Sequence, residues 1–108
     1  MTYEDSPMQR SLSALSDPTR RAVFEAVAAQ PRSVTELAKT QPISRPAVSQ
    51  HLKVLSEANL VRAEAQGTRR IYHLDTAGLA ALRDYLDQFW TDALGAYAAE
   101  VRRRTKPN

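Results

Sequence analysis

Val48, Leu52 and Leu55 recur at the three- and four-residue steps of one buried helical face, with Arg45, Ser49, Gln50 and Lys53 set between them. The pattern predicts a helix capped by Ser44, running to about residue 58, with Pro46 near its start and Asn59 as a left-handed stop. Upstream, the polar–apolar rhythm predicts a short helix around 8–15. A second helix follows, opened by Asp17 as cap and Pro18 at its first position, with Val23, Phe24 and Val27 as its apolar face and Pro31 closing it. Ser33 and Glu36 form the S-x-x-E pattern of a capping box, which opens a third helix of about two turns. The "QPI" stretch is then a tight connection.

After Asn59 the period changes from helical to two. Val61, Ala63 and Ala65 alternate with Arg62, Glu64 and Gln66, and the β-favouring pair Ile71 and Tyr72 follows Gly67. This predicts a β-hairpin with Gly67 and Thr68 near its tip. A long helix is expected from Asp75 or Thr76 to about 103, on the order of 40 Å in length. The fold class is mostly α with a small β-hairpin (α+β): two helices joined by a tight turn and followed by a hairpin make a winged helix-turn-helix. One domain is expected over 1–108, with the helix-turn-helix at about 33–58, the wing at about 60–74 and a dimerisation helix at about 76–103.

The polar side of the fourth helix carries the functional question. With Val48 placed at zero on a helical wheel, Leu52 and Leu55 fall within about 40° of it, and Pro46, Gln50, Lys53 and Glu57 within about 40° of the opposite pole. Ser49 and Arg45 lie on one flank. This back is not a Glu/Lys mix of the kind that keeps a helix soluble. Its N-terminal half carries small residues that permit close approach to a groove, and Gln50 and Arg45 are side chains that bridge base edges in two places at once. In the second helix of a helix-turn-helix, the N-terminal residues enter the major groove. In the wing, Arg69 and Arg70 follow the glycine turn, where phosphate or minor-groove contact is expected. The candidate DNA-binding set is therefore Ser44, Arg45, Pro46, Ser49, Gln50, Lys53, Arg69 and Arg70.

Charge supports that set. The chain of 108 residues has formal net charge +3, and its basic side chains gather between residues 30 and 75 and again in the tail at 102–106. A basic helix end suits the macrodipole, so the tail arginines Arg102, Arg103 and Arg104 carry no specific reading. The sequence contains no cysteine, which removes disulfides and thiolate metal sites. The polar, acidic start has no apolar core of a secretory signal, and no stretch is apolar for long enough to span a bilayer, so a cytoplasmic, nucleoid-associated protein is expected. Nothing in the sequence arranges a nucleophile, a metal cluster or a phosphate loop, so no catalytic residues, no cofactor and no enzyme activity are expected.

The final helix carries two apolar stripes. Leu79, Leu82, Leu86, Phe89 and Ala93 repeat at helical steps, and Tyr85, Trp90, Leu94, Tyr97 and Val101 add a second stripe. One stripe is expected to cover the core of the chain itself. The surplus is expected to meet a second copy, giving Leu79, Leu82, Leu86, Phe89, Trp90, Ala93 and Tyr97 as dimerisation residues. A ligand pocket around Trp90 and Tyr97 is the alternative use.

Three segments, "LSDPTRRAVFEAV", "SVTELAKTQPISRPAVSQHLKVLSEANLVRAEAQGTRRIYHLD" and "LAALRDYLDQFW", together resemble the ArsR family of bacterial transcriptional repressors over roughly residues 12–94. The resemblance implies a homodimer that blocks transcription by occupying a palindromic double-stranded operator, in some cases its own. By position, Arg45, Pro46, Ser49 and Gln50 fall where the family's recognition helix touches DNA. The chain departs from the metal-sensing members. Their Cys-x-Cys corresponds to Ser33 and Thr35 here, and their final-helix ligands correspond to Thr76, Gly78, Phe89 and Asp92, of which only Asp92 has ligating chemistry. His51 and His73 read as structural. The resemblance is to the cysteine-free members, without an assigned metal or small-molecule effector; a carboxylate site between subunits stays open. The competing function is a winged-helix module that binds protein and not DNA.

Overall fold

Three serines and an aspartate set the starts of the first four helices. The computed structural model describes residues 6–105; the reading of the polar N-terminal five residues and of Lys106 in the basic tail falls outside them. Ser6 Oγ accepts the Gln9 N–H at 3.1 Å and opens α1, Pro7–Ser16. Asp17 Oδ1 accepts the Arg20 N–H at 2.9 Å and opens α2, Pro18–Ala29, with Pro18 at the first helical position as predicted. Ser33 and Glu36 close the predicted capping box of α3, Val34–Thr40. Ser44 Oγ accepts the Ala47 N–H at 3.2 Å at the head of α4, Arg45–Glu57. Each cap satisfies a backbone donor that the first helical turn leaves unpaired.

The stop of α4 is equally local. Asn59 adopts φ 58°, the Leu60 N–H donates to Leu55 O at 2.9 Å, and the Asn59 N–H to Ser56 O at 3.0 Å. This is the paired hydrogen-bond pattern of a Schellman stop, with Leu60 and Leu55 both buried as its apolar contact. The chain then turns into β1, Val61–Gln66, and β2, Arg69–Leu74, an antiparallel pair in the register Val61↔Leu74 to Gln66↔Arg69. Gly67, at φ 64°, takes the first central position of the two-residue loop, where a hairpin turn needs a positive φ. Arg32, just before α3, exchanges backbone hydrogen bonds with Tyr72 at 3.1 and 2.8 Å. The sequence reading did not foresee this bridge, which lays the chain ahead of α3 alongside the wing.

The core sits among α1 to α4 and the base of the hairpin. Ala14, Val23, Phe24, Val27, Leu37, Val48, Leu52, Leu55, Leu60 and Val61 form one buried cluster. Val48, Leu52 and Leu55 are wholly buried, each burial worth about 1.5–3 kcal/mol. Two arginines of α2 reach back to the end of α1: Arg20 Nε donates to Ala14 O at 2.7 Å and an Arg21 Nη to Leu15 O at 2.8 Å. They satisfy its last carbonyls and complement its negative end.

α5 spans Thr76–Thr105, thirty residues. It meets the rest of the fold at Gly78, whose N–H donates to Asn59 O at 2.9 Å and whose carbonyl accepts from the buried Ser11 hydroxyl at 2.8 Å. Beyond that joint the helix departs from expectation. Leu79 packs against the core, but Leu86, Phe89 and Ala93 of the same stripe are exposed. No stripe of α5 covers the core along its length, because α1 to α4 and the hairpin already close it. The helix projects instead, and the molecule measures 73 × 31 × 21 Å with a radius of gyration of 19.1 Å, against about 13 Å for a compact chain of this length.

Candidate nucleic-acid interface

The buried face of α4 fixes where its opposite face points. With Val48, Leu52 and Leu55 locked in the core, Arg45, Pro46, Ser49, Gln50 and Lys53 are all exposed along one side of the helix. Ser44 is exposed too, its hydroxyl already engaged in the cap. Among the described residues, the side chains of Arg45, Ser49, Gln50 and Lys53 make no hydrogen bond or ion pair within the chain. Their donors and acceptors are free for an outside partner. Glu57 lies at the far end of the same face, where its charge opposes phosphate contact. His51, on the flank, is half-buried.

α3 braces this helix from behind. Leu37, wholly buried, joins the core beside α4, and the short Gln41–Ser44 turn holds the two helices in the helix-turn-helix arrangement. The wing stands beside α3, and an open cleft between them is lined by Thr35, Lys39, Thr68, Arg69 and Arg70 among others. The structure separates the two wing arginines that the sequence placed together. Arg70 is exposed and has no partner among the described residues. Arg69 instead lies 3.1 Å from Glu36 Oε1 and 3.3 Å from Ser33 Oγ.

Carboxylates around the surface are held in the charged form. The Ser33 N–H, then the Ser33 hydroxyl and Arg69, keep the Glu36 carboxyl below the usual range. The Arg62 guanidinium at 2.9 Å, with His73 beyond it, does the same for Glu64. His73 Nε2 lies 2.8 Å from Glu64 Oε2 but lacks the alignment of a hydrogen bond. Both histidines are part-buried. Among the described residues of the chain, no three His, Asp or Glu side chains gather in a group suited to a metal ion.

A helix-turn-helix domain model matches residues 15–64, from the end of α1 into the wing. The chain is 60% identical over 89 residues to the HTH-type transcriptional regulator Rv2034 of Mycobacterium tuberculosis, covering 82% of this chain and 83% of that protein. The fold superposes on an ArsR-like transcriptional regulator from Rhodococcus sp. RHA1 with TM-score 0.80, 24% identity and coverage of 94% and 95% of the two chains. It also matches, at TM-score 0.62 and 28% identity over 80% and 79% of the chains, the homodimeric winged helix-turn-helix DNA-binding domain of Mb0332 from Mycobacterium bovis, a possible ArsR-family regulator. The chain belongs to the ArsR family of transcriptional regulators. In this winged helix-turn-helix fold, α4 is the second helix of the helix-turn-helix and the β1–β2 hairpin is the wing. At the head of α3, where metal-sensing members carry thiolates, the chain has Ser33 as a helix cap and the exposed Thr35.

Proposed function

We propose that this protein is a homodimeric, sequence-specific repressor that occupies a palindromic operator, its own upstream region among the candidates, and acts in the cytoplasm on the nucleoid. The observation that carries the reading is the face of α4. Its apolar side is wholly buried, and its polar side carries Arg45, Ser49, Gln50 and Lys53 with no partner among the described residues. In the major groove, Gln50 and Arg45 take base edges, Ser44 and Ser49 permit close approach, and Lys53 takes the backbone. Pro46, at the second helical position, offers no N–H and leaves the approach unhindered. Repression follows from occupancy: a protein seated across the operator excludes the polymerase, and no chemical step is needed.

The twofold arrangement comes from α5. Leu86, Phe89, Trp90 and Tyr97 are exposed large apolar side chains on a projecting helix, and a second copy is the occupant that pairs two recognition helices for two half-sites about one DNA turn apart. Gel shifts of the chain against its own upstream DNA and against random duplex test the reading. Gln50→Ala is expected to cost about 1–3 kcal/mol on the selected site and relax discrimination at one base position. Lys53→Ala is expected to weaken both DNAs alike and flatten the salt slope by about one unit. Equal losses on both DNAs for Gln50→Ala exclude base reading. A wild type that produces no salt-sensitive, selective shift leaves the protein-interaction module as the function.

A further inference from the structure

Arg69 and Arg70 are successive residues of β2, so their side chains leave opposite faces of the hairpin. Both line the cleft beside α3, but only one of them engages a side chain of that helix's cap. That one is Arg69, and what it meets there is the helix cap itself. The Ser33 N–H donates to Glu36 Oε1 at 2.9 Å and the Glu36 N–H to Ser33 Oγ at 3.2 Å, closing the capping box. Arg69 Nη2 then donates to the same Ser33 Oγ at 3.3 Å and lies 3.1 Å from the same Glu36 Oε1. Each cap oxygen serves twice, once for the start of α3 and once for the wing. The carboxyl of Glu36 is held below the usual range, first by the Ser33 N–H, so its charge faces the guanidinium throughout the neutral range. Further along β2, the paired backbone hydrogen bonds of Arg32 and Tyr72 fasten the same strand to the chain ahead of α3. Against the start of α3 the wing is thus held at two points, one of backbone and one of charge, in addition to the burial of its base in the core.

We infer that Arg69 is a positioning residue that clasps the wing to the α3 cap, and that Arg70 alone of the pair takes a DNA phosphate. The inference rests on the DNA-binding reading above. Its physical basis is a count of charge. A phosphate contact registers in the salt dependence of binding because a cation replaces condensed counterions. Arg69 is already balanced by Glu36 and adds no such cation, whereas Arg70 has no partner among the described residues and adds one. Arginine suits the clasp because its planar fork reaches a carboxylate and a hydroxyl together.

The test uses the full chain and a fluorescein-labelled random-sequence duplex, with anisotropy titrations at several salt concentrations. Arg70→Ala is expected to flatten the log–log salt slope by about one unit per subunit. Arg69→Ala is expected to lower affinity severalfold while keeping the wild-type slope. Glu36→Gln, which keeps an acceptor for the Ser33 N–H, is expected to steepen the slope by unmasking the Arg69 charge. A slope loss for Arg69→Ala equal to that for Arg70→Ala overturns the inference. A second readout needs no DNA: amide hydrogen exchange at Arg32 and Tyr72 is expected to quicken in Arg69→Ala and not in Arg70→Ala, and unchanged exchange in both overturns the clasp. Should the wild type fail to bind the duplex, the DNA-binding reading falls, and the exchange measurement alone decides on the clasp.

Discussion

Asp17 caps α2 with an ionised side chain, which ties a piece of the fold's stability to pH. Its carboxyl is held below the usual range, first by the Arg20 N–H that it accepts and further by the charge of Arg20, with His51 of α4 contributing from across the helix pair. A carboxyl whose folded pKa is lowered adds stability above its unfolded pKa, and that stability is lost as pH falls through the folded value. Asp17→Asn keeps the capping oxygen and removes the charge. The urea midpoint of the wild type is therefore expected to fall more steeply than that of Asp17→Asn as pH drops below the usual carboxylate range, with both curves flat near neutrality. Parallel curves in the acid range contradict the assignment. The cap itself was legible in the sequence, because an aspartate before a proline and an apolar run is a local signal. The exposed positions of Gln50 and Lys53 were legible for a similar reason, since the burial of Val48, Leu52 and Leu55 dictates the opposite face. The partner of Arg69 was not, because Ser33 lies 36 residues away and no local rule brings the two together.

Among the elements, α5 shows most clearly what a periodic pattern conveys and what it leaves out. Its start, its length and its apolar stripes follow from sequence; which of those stripes the chain's own core needs does not. That depends on how completely the other elements close the core, and here they leave α5 only its first turns, from the joint at Gly78 through Leu79 and Leu82. A Cβ added at Gly78 meets Ala58 O at 2.3 Å, Asn59 O at 2.9 Å and Ser11 Oγ at 2.9 Å. Two of these are backbone atoms fixed by the Schellman stop of α4, so they cannot step aside. Gly95, on the same helix, has nothing within 4 Å of such a Cβ. The two glycines are expected to respond with opposite sign. Gly78→Ala should destabilise by about 1–3 kcal/mol or more through overpacking, and Gly95→Ala should stabilise by up to about 1 kcal/mol through helix propensity. Denaturant midpoints measure both, and equal shifts would show that the joint at Gly78 is slack. The wing's register was equally readable from its alternation and its glycine. The Arg32–Tyr72 bridge was hidden, because a single pair of backbone bonds leaves no period in the sequence.

Across the whole molecule, the exposed face of α4 and the apolar face of α5 are joined through the first turns of α5, so in the proposed dimer the pairing of two chains sets where the two α4 helices stand. Leu12 of α1 and Tyr85, Leu86, Phe89, Trp90, Leu94, Tyr97 and Val101 of α5 are all exposed in the single chain, more apolar surface than a helix in water keeps without a partner. Leu86, at 51% exposure, contributes little to the chain's own core, so Leu86→Asp tests pairing without opening a cavity. In a twofold interface the substitution acts twice. Losing about 1.5–3 kcal/mol of burial at each copy raises the dimer dissociation constant by about two to four powers of ten. Sedimentation is expected to show a folded monomer with far-ultraviolet helicity reduced only by fraying of the unsupported end of α5. Binding to a palindromic site should fall steeply while binding to a single half-site persists, because α4 and the wing are untouched. A variant that sediments as the wild type does would place the pairing surface elsewhere. Loss of binding to both DNAs with the dimer intact would instead show that α5 acts on the recognition helix within one chain, through the joint at Gly78.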